Sequence, residues 1–109
     1  MLSQAIEAGG LVFVSGQVHN LANGTLVNGS VEENLRQIMQ NIEHILQAAD
    51  LTLDNVVKAT VYITDMAILP ELNKFYPTYF AEPRPAREAV CVKALPLGAS
   101  MEISVIAAR

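Results

Sequence analysis

The segment 30–49 constrains the fold more than any other, because it predicts one long helix with a single apolar face. Ser30 followed three residues later by Glu33 is a capping box, a pattern that marks the start of a helix. Apolar residues then recur at helical spacing over about five turns. Such a helix needs a layer that covers its stripe, so we expect it to pack on a sheet. The stripe consists of Val31, Leu35, Ile38, Met39, Ile42, Ile45, Leu46 and Ala49.

Alternating patterns on both sides of this helix predict the strands of that sheet. In 57–64, apolar residues alternate with semi-polar ones, and 101–108 alternates in the same way. Gly9-Gly10 is a turn between two N-terminal strands, and the second of these carries apolar residues on both faces, as a strand buried on two sides does. The predicted strands are 3–8, 11–17, a short one near 25–27, 57–64, 88–94 and 101–108.

A second amphipathic helix is predicted after Asp65, with Pro70 at a first helical position. Pro77 should kink or shorten this helix, because it has no N–H to bond the Asn73 carbonyl. The element order is then β-β-β-α-β-α-β-β. This order is typical of an α+β fold in which two helices cover one face of a mixed sheet of about six strands. At 109 residues the chain is expected to be a single domain, 1–109.

Composition suggests that the other face of the sheet is also covered. Hydrophobic residues make up 51% of the chain and charged residues only 17%, which is rich for a small domain that stands alone. The second face of 57–64 carries Lys58, Thr60, Tyr62 and Thr64, which neighbouring subunits could line. We therefore expect self-association.

Charge and cysteine content exclude several classes of protein. A net charge of −4 without a basic run argues against nucleic acid as a partner. Cys91 is the only cysteine, so no intrachain disulfide can form, which suits a reducing compartment. No apolar run is long enough to span a membrane, and the N-terminus lacks the pattern of a signal peptide. The expected location is the cytoplasm, with no membrane partner.

The stretch 83–92 carries the strongest candidate for binding. Pro83 and Pro85 restrict the backbone just before Arg87, which therefore loses little freedom when it binds a ligand. Arginine is also the side chain best suited to a carboxylate, through two parallel hydrogen bonds. The alternative is an arginine in a surface ion pair at a strand end, and the local sequence does not decide between the two.

Two further positions in predicted strands suggest a pocket. Gly16 interrupts an apolar strand, which indicates a bulge or the close approach of another group, and makes Ser15-Gly16 a candidate pocket wall. Glu102 is an acid in a strand that is otherwise almost uncharged, so it is paired, at the rim, or functional. His19 and His44 have no metal-ligand spacing around them, and we expect both to be solvated.

Several short motifs, in order along nearly the whole chain, resemble the RidA/YjgF family of reactive intermediate deaminases. The resemblance implies a chorismate-mutase-like fold and a homotrimer around a central barrel, with three clefts between subunits. It also implies hydrolysis of enamine or imine carboxylates, such as 2-aminoacrylate, to 2-keto acids and ammonia without metal or cofactor. The motifs are Ser3-Gln4-Ala5-Ile6, Val14-Ser15-Gly16-Gln17, Val57-Lys58-Ala59-Thr60-Val61-Tyr62, Asp65-Met66, Asn73-Lys74-Phe75-Tyr76, Pro85-Ala86-Arg87, Leu95-Pro96 and Met101-Glu102-Ile103.

The resemblance also implies roles for individual residues. Arg87 matches the family arginine that binds the substrate carboxylate, and Glu102 matches the acid that positions the attacking water. Ser15, Gly16 and Asn73 match the lining of the same cleft. The chemistry agrees, because hydrolysis of a preformed imine needs a carboxylate anchor, an oriented water and a proton acceptor, but no strong nucleophile.

Two positions depart from the family pattern. Many members carry Gly-Pro-Tyr before the Ser-Gln-Ala motif, whereas Leu2 stands here at the position of the tyrosine, so closure over the substrate is expected to be looser. Glu88 follows Arg87 where serine is common, which adds a negative charge beside the carboxylate anchor unless strand alternation turns it away. The alternative function is a non-catalytic binding or regulatory trimer. A ribonuclease fits the acidic charge poorly.

The connection between the last two strands predicts how the site is assembled. Leu95 to Ser100 provide six residues, too few for a parallel crossover, so the strands should run antiparallel. Arg87 and Glu102 would then lie at opposite ends of the sheet, about 20 Å apart within one chain. One small substrate could contact both only if two chains share each site.

Overall fold

The computed structural model describes residues 2–109, which form one five-stranded sheet with two α-helices. Short 3₁₀ turns at Leu53–Asn55, Met66–Ile68, Tyr76–Tyr79 and Pro96–Gly98 join these elements. No helix within residues 2–109 has the length and apolar character needed to cross a membrane. The strands are β1 (Ala5–Ala8), β2 (Leu11–Val18), β3 (Val56–Ile63), β4 (Ala86–Cys91) and β5 (Met101–Ala108), and the helices are α1 (Val31–Ala48) and α2 (Leu69–Phe75).

The sheet is mixed, and its strand order is β1-β2-β5-β3-β4. β3 and β4 are parallel, while β1 with β2, β2 with β5, and β5 with β3 are antiparallel. Both helices contribute to one core on a single face of the sheet, where the inward side chains of β3 and β5 are buried. The α+β class with two helices on one face is therefore confirmed. β4 and β1 are the edge strands.

Helix α1 begins and packs as the sequence predicts. The Ser30 hydroxyl accepts a hydrogen bond from the Glu33 N–H (3.1 Å), and a Glu33 carboxylate oxygen accepts one from the Ser30 N–H (2.9 Å). Most of the predicted stripe is buried in the core, with Val31 and Ala49 packed against its margin. The capping box and the apolar stripe together determine where this helix starts and which side it buries.

Helix α2 is shorter than its apolar pattern. It ends at Phe75, and the chain continues as a 3₁₀ turn that contains Pro77. Because proline cannot donate to the carbonyl four residues earlier, the α-helical hydrogen bonds stop at this point. The predicted shortening by Pro77 is confirmed, as is the position of Pro70 in the first turn.

Three details of the predicted sheet are wrong. No strand forms at 25–27; only an isolated bridge joins Asn20 to Leu26, because the loop bonds to itself through the Val27 N–H and the His19 carbonyl (2.7 Å). The sheet therefore has five strands instead of six. β4 comprises Ala86–Cys91, where 88–94 was expected. Val57 is exposed, because a register shift between Val56 and Lys58 places Val56 in the core instead.

The face of the sheet opposite the helices, here called the helix-free face, stays open in one chain. Phe13 on this face is 43% exposed, so β2 is buried on one side and not on two. Ile6 pairs with Phe13, Phe13 pairs with Ile106, and all three side chains lie on this face. The exposed large apolar residues here are Ile6, Phe13 and Val90. An open apolar sheet face of this kind is typical of a subunit interface.

Candidate functional site

Ser15, Gly16 and Glu102 lie together on the adjacent strands β2 and β5, and we call them the acid half-site. Glu102 is near the start of β5 and pairs with Val18 of β2 and Tyr62 of β3. Its side chain is on the helix-free face, because its neighbours Met101 and Ile103 point into the core. The carboxyl group lies over Gly16: a Cβ added there would be 2.7 Å from the Glu102 Cδ. A side chain at position 16 would therefore have to displace the Glu102 carboxyl group.

A bulge at Ser15 and Gly16 opens the strand beside the acid. The pairing of β2 with β5 shifts register between Val14 and Gln17, so Ser15 and Gly16 have no partner on β5. Ser15 is held from the other side, since its N–H donates to the Gln4 carbonyl (2.8 Å) and its hydroxyl to the Ser3 carbonyl (2.7 Å). The predicted bulge is confirmed, and the group that approaches Gly16 is the Glu102 side chain.

The electrostatic setting of Glu102 suits a proton acceptor. Burial raises the pKa of its carboxyl above the usual value, and no charge within residues 2–109 opposes that shift. A carboxylate with a raised pKa is a better base near neutral pH than a free one. The acid half-site can therefore take a proton from a bound water.

Tyr76 and Arg87 form a second cluster, here called the arginine half-site. Arg87 is the second residue of the edge strand β4 and pairs with the buried Ala59 of β3, so its side chain is on the helix side of the sheet. The guanidinium carbon lies 4.9 Å from the centre of the Tyr76 ring. The predicted cleft residue Asn73 is an exposed residue of α2, three positions before Tyr76.

Arg87 is free to bind an anion. The ion pairs found within residues 2–109 are Lys58–Glu88, Arg84–Glu82 and Arg109–Glu7, and none involves Arg87. The alternative of a surface ion pair at a strand end is not seen for Arg87 within residues 2–109. Glu88 does not compete with a bound carboxylate either, because it points to the helix-free face and bonds Lys58 Nζ at 2.9 Å.

The two half-sites do not meet within one chain. Arg87 is level with Ala59, Glu102 is level with Tyr62, and β3 separates their strands. Three residues along the strands and two strand spacings across give about 14 Å between the two backbones. Their side chains also leave opposite faces of the sheet.

The predicted antiparallel direction of the last two strands holds, but the predicted distance between Arg87 and Glu102 is wrong. β4 and β5 are not neighbours, because β3 lies between them. Arg87 and Glu102 are also closer along the sheet than the predicted 20 Å, since both lie within the span of β3. The connection length limits direction but not adjacency, which the packing of the whole sheet decides.

His19 was expected to be solvated, and this is wrong. The residue is 1% exposed, its Nδ1 donates to the Val27 carbonyl (2.6 Å), and its Nε2 accepts the Ser100 N–H (3.1 Å). The ring thus joins the loop after β2 to the residue before β5, two positions from Glu102. No local sequence pattern predicts that His19 is buried and hydrogen-bonded, because both of its partners are backbone groups elsewhere in the chain. His44 is exposed, as expected.

The sequence placed Tyr76 in the Asn73-Lys74-Phe75-Tyr76 motif and gave it no role in a site. It is buried, burial raises the pKa of its hydroxyl, and the nearby Arg87 opposes that shift. Its spacing from Asn73 was readable in the sequence, whereas its contact with Arg87 depends on how α2 docks on β4. Within residues 2–109 no three His, Cys, Asp or Glu side chains form a group that could hold a metal ion.

Comparison with known proteins gives a consistent result. A family model described as Endoribonuclease L-PSP matches residues 1–109. The mouse protein named 2-iminobutanoate/2-iminopropanoate deaminase is 42% identical over 108 residues, covering 98% of this chain and 80% of that protein. The crystal structure of RidA from the Antarctic bacterium Psychrobacter sp. PAMC 21119 has a TM-score of 0.93 at 37% identity, covering 99% of this chain and 88% of that one.

A further solved structure is of E. coli TdcF with bound serine. It has a TM-score of 0.92 at 31% identity, covering 100% of this chain and 88% of that one. Sequence and structure thus agree along nearly the whole chain. On these grounds the chain belongs to the RidA/YjgF family.

Proposed function

We propose that this protein hydrolyses reactive enamine and imine carboxylates of the 2-aminoacrylate type to 2-keto acids and ammonia. The observation that carries the proposal is an arginine without an ion-pair partner, held over an aromatic ring behind two prolines. A 2-imino acid presents a planar carboxylate, which is the group that a guanidinium binds best. The name of the mouse relative supports the same substrate class, and the serine bound to TdcF is also a carboxylate.

The proposed chemistry uses one proton acceptor and one anchor. Arg87 holds the carboxylate and orients the imine carbon toward a water at Glu102. Glu102 takes a proton from this water as its oxygen bonds to the carbon, the C=N electron pair moves to nitrogen, and Glu102 passes that proton to the nitrogen, which gives a tetrahedral aminol. Glu102 then takes the hydroxyl proton as the C=O bond forms, and the nitrogen receives this proton as the C–N bond breaks, so that ammonia leaves and the 2-keto acid remains. An enamine first takes a proton on carbon to become the imine.

Each proposed site is shared between two copies of the chain. The two half-sites leave opposite faces of one sheet, so Arg87 of one subunit would act with Glu102 of its neighbour. The open helix-free face, with Ile6 and Phe13, supplies apolar surface for such contacts. We propose a homotrimer with three such sites. Asn73, Ser15 and Gly16 would line the cleft around the substrate.

The direct test generates an imine in situ with an amino-acid oxidase and measures the release of keto acid and ammonia, over several amino acids. We expect the wild type to speed release, while Arg87→Ala and Glu102→Gln do not. A wild type that binds 2-oxobutanoate but gives no acceleration would instead support the non-catalytic binding trimer. Salt-sensitive RNA binding or RNA cleavage would favour the function in the family model's description, which the net charge of −4 disfavours.

Sharing is tested by subunit mixing. Inactive Arg87→Ala and Glu102→Gln chains are refolded together, and mass spectrometry confirms that mixed oligomers have formed. Some interfaces then hold one intact arginine and one intact acid, so we expect partial recovery of activity. Mixed oligomers without any activity would contradict the shared site.

A further inference from the structure

We propose that Tyr76 is a positioning residue that holds the Arg87 guanidinium, through the face of its ring, in the orientation that receives a substrate carboxylate. This inference rests on the proposed function, since it gives Arg87 the role of carboxylate anchor. It adds a residue that does not itself touch the substrate.

The contact has the geometry of a cation–π interaction. The guanidinium carbon is 4.9 Å from the ring centre, inside the limit of about 6 Å at which a cation is attracted to an aromatic face. Arg87 needs such support, because β4 is an edge strand whose backbone bonds to β3 alone. A long side chain on an edge strand would otherwise sample many rotamers, and ordering it on binding reduces affinity.

Tyr76 is itself held firmly, so it can act as a fixed support. Its side chain is 5% exposed, and its ring packs against Phe80 with 5.0 Å between ring centres. Its N–H donates to the Leu72 carbonyl at the end of α2, and Pro77 follows directly. The Tyr76 ring is thus held by Phe80 and by its own backbone hydrogen bond, so its face stays in one orientation beside Arg87.

The ring, and not the hydroxyl, carries the proposed role. The Tyr76 hydroxyl is buried and has no hydrogen-bond partner within residues 2–109. A buried hydroxyl without a partner does not stabilise the fold. Phenylalanine should therefore replace Tyr76 without loss, whereas an aliphatic side chain should not.

The experiment compares Tyr76→Phe, Tyr76→Leu and the matched control Phe80→Leu, each alone and combined with Arg87→Ala. Phe80 is buried in the same aromatic pair, and the structure gives it no contact with the guanidinium, so Phe80→Leu reproduces the packing defect alone. The measurements are the Kd of the product analogue 2-oxobutanoate by calorimetry, and KM and kcat for in situ imines. Thermal melting confirms that every variant is folded.

We expect Tyr76→Leu to weaken 2-oxobutanoate binding and raise KM about two- to fivefold, with little change in kcat. Tyr76→Phe should bind as the wild type does, and Phe80→Leu, which loosens the Tyr76 ring but keeps its aromatic face beside Arg87, should lose less affinity than Tyr76→Leu. In the Arg87→Ala background, Tyr76→Leu should cause no further loss, because a double-mutant cycle isolates the pairwise contact.

An equal loss from Tyr76→Leu and Phe80→Leu, a loss from Tyr76→Phe, or the same loss with and without Arg87 would each overturn the inference. A wild type that binds 2-oxobutanoate in a Tyr76-dependent way but does not hydrolyse imines would remove the proposed function and leave this inference standing. Normal imine hydrolysis by the wild type, with no effect of Tyr76→Leu on binding, would overturn the inference about Tyr76 and leave the proposed function standing.

Discussion

The two half-sites are built differently, although one reaction is proposed to need both. Glu102 lies on β5, a strand that is hydrogen-bonded to neighbours on both sides, and its carboxyl group lies against the Gly16 backbone. Arg87 lies on the edge strand β4, and its support comes from the Tyr76 side chain. The acid is therefore placed by backbone structure, and the arginine by side-chain packing.

This difference in support matches two different roles, proton transfer at Glu102 and carboxylate binding at Arg87. Proton transfer needs a base at a fixed distance, which a central strand provides. A carboxylate anchor holds a group that does not react, so its contacts are similar in the bound substrate and in the transition state. We infer that changes in the acid half-site act mainly on kcat, and changes in the arginine half-site mainly on KM. The predictions below, in order of expected effect, test this division.

The largest effect is expected from Glu102→Gln, which keeps the shape of the side chain but removes the proton acceptor. Loss of a positioned base typically lowers the rate by about 10²- to 10⁴-fold. We expect kcat for in situ imines to fall by that order while the Kd of 2-oxobutanoate changes little. A similar weakening of binding would show that the division between the half-sites is wrong.

The same residue predicts the pH profile. Burial raises the pKa of Glu102, and a base is active only when deprotonated, so activity should fall as pH falls through that raised value. The acid limb of the activity profile should therefore lie at higher pH than for an ordinary carboxyl group, and residual Glu102→Gln activity should lack this limb.

The stability of the fold should depend on pH in the opposite direction. Because the raised pKa makes the folded state bind the proton more tightly than the unfolded state does, the contribution of Glu102 to the free energy of unfolding is lost as pH rises through its raised folded-state pKa. Rate profiles and denaturation curves measure both.

Arg87→Ala should have the next largest effect. An unpaired substrate carboxylate costs on the order of 2 to 4 kcal/mol, so kcat/KM should drop more than tenfold, mostly through KM. Arg87→Lys should also lose affinity, because an ammonium cannot form the planar pair of hydrogen bonds. Arg84→Ala is the control, since Arg84 is exposed and paired with Glu82. Full imine hydrolysis by Arg87→Ala would refute its role as the anchor.

Gly16→Ala tests whether the backbone places the acid. The new Cβ would crowd the Glu102 carboxyl group, and a misplacement of that scale should lower kcat by about tenfold or more. Gly29→Ala is a matched control, because its Cβ would lie 3.0 Å from the Glu33 Cδ, outside both half-sites. That control should reduce the stability of α1 and leave kcat unchanged. Unchanged kcat in Gly16→Ala would mean that Glu102 is free to move.

The smallest effect on activity is expected from substitutions of His19, which mainly test the stability of the fold. His19→Ala removes the two hydrogen bonds of a buried ring and should lower the free energy of unfolding by about 2 to 3 kcal/mol. His44→Ala, at an exposed position, should stay within about 0.5 kcal/mol. Urea denaturation measures both. Any catalytic loss in a folded His19→Asn variant should appear in kcat, because the ring lies next to the start of the strand that carries Glu102.

Local patterns predicted the elements of this fold well, because the information is contained within each segment. The capping box at Ser30 and Glu33 began α1, Pro77 ended α2, and alternation gave β5 its observed bounds. The missing strand at 25–27 and the shift at Val57 were not predictable in this way. Both depend on hydrogen bonds to partners elsewhere in the chain.

The sequence by itself determined the fold class, the family and the identity of the candidate residues, since each of these follows from residue types and their order. Only the tertiary structure decided that Glu102 fills the space above Gly16, that Arg87 rests on Tyr76 and leaves the opposite face of the sheet, and that His19 is buried. These are contacts between residues far apart in the chain. Their geometry is determined by strand order and helix docking, which balance the burial of the whole core and are not encoded in any one segment.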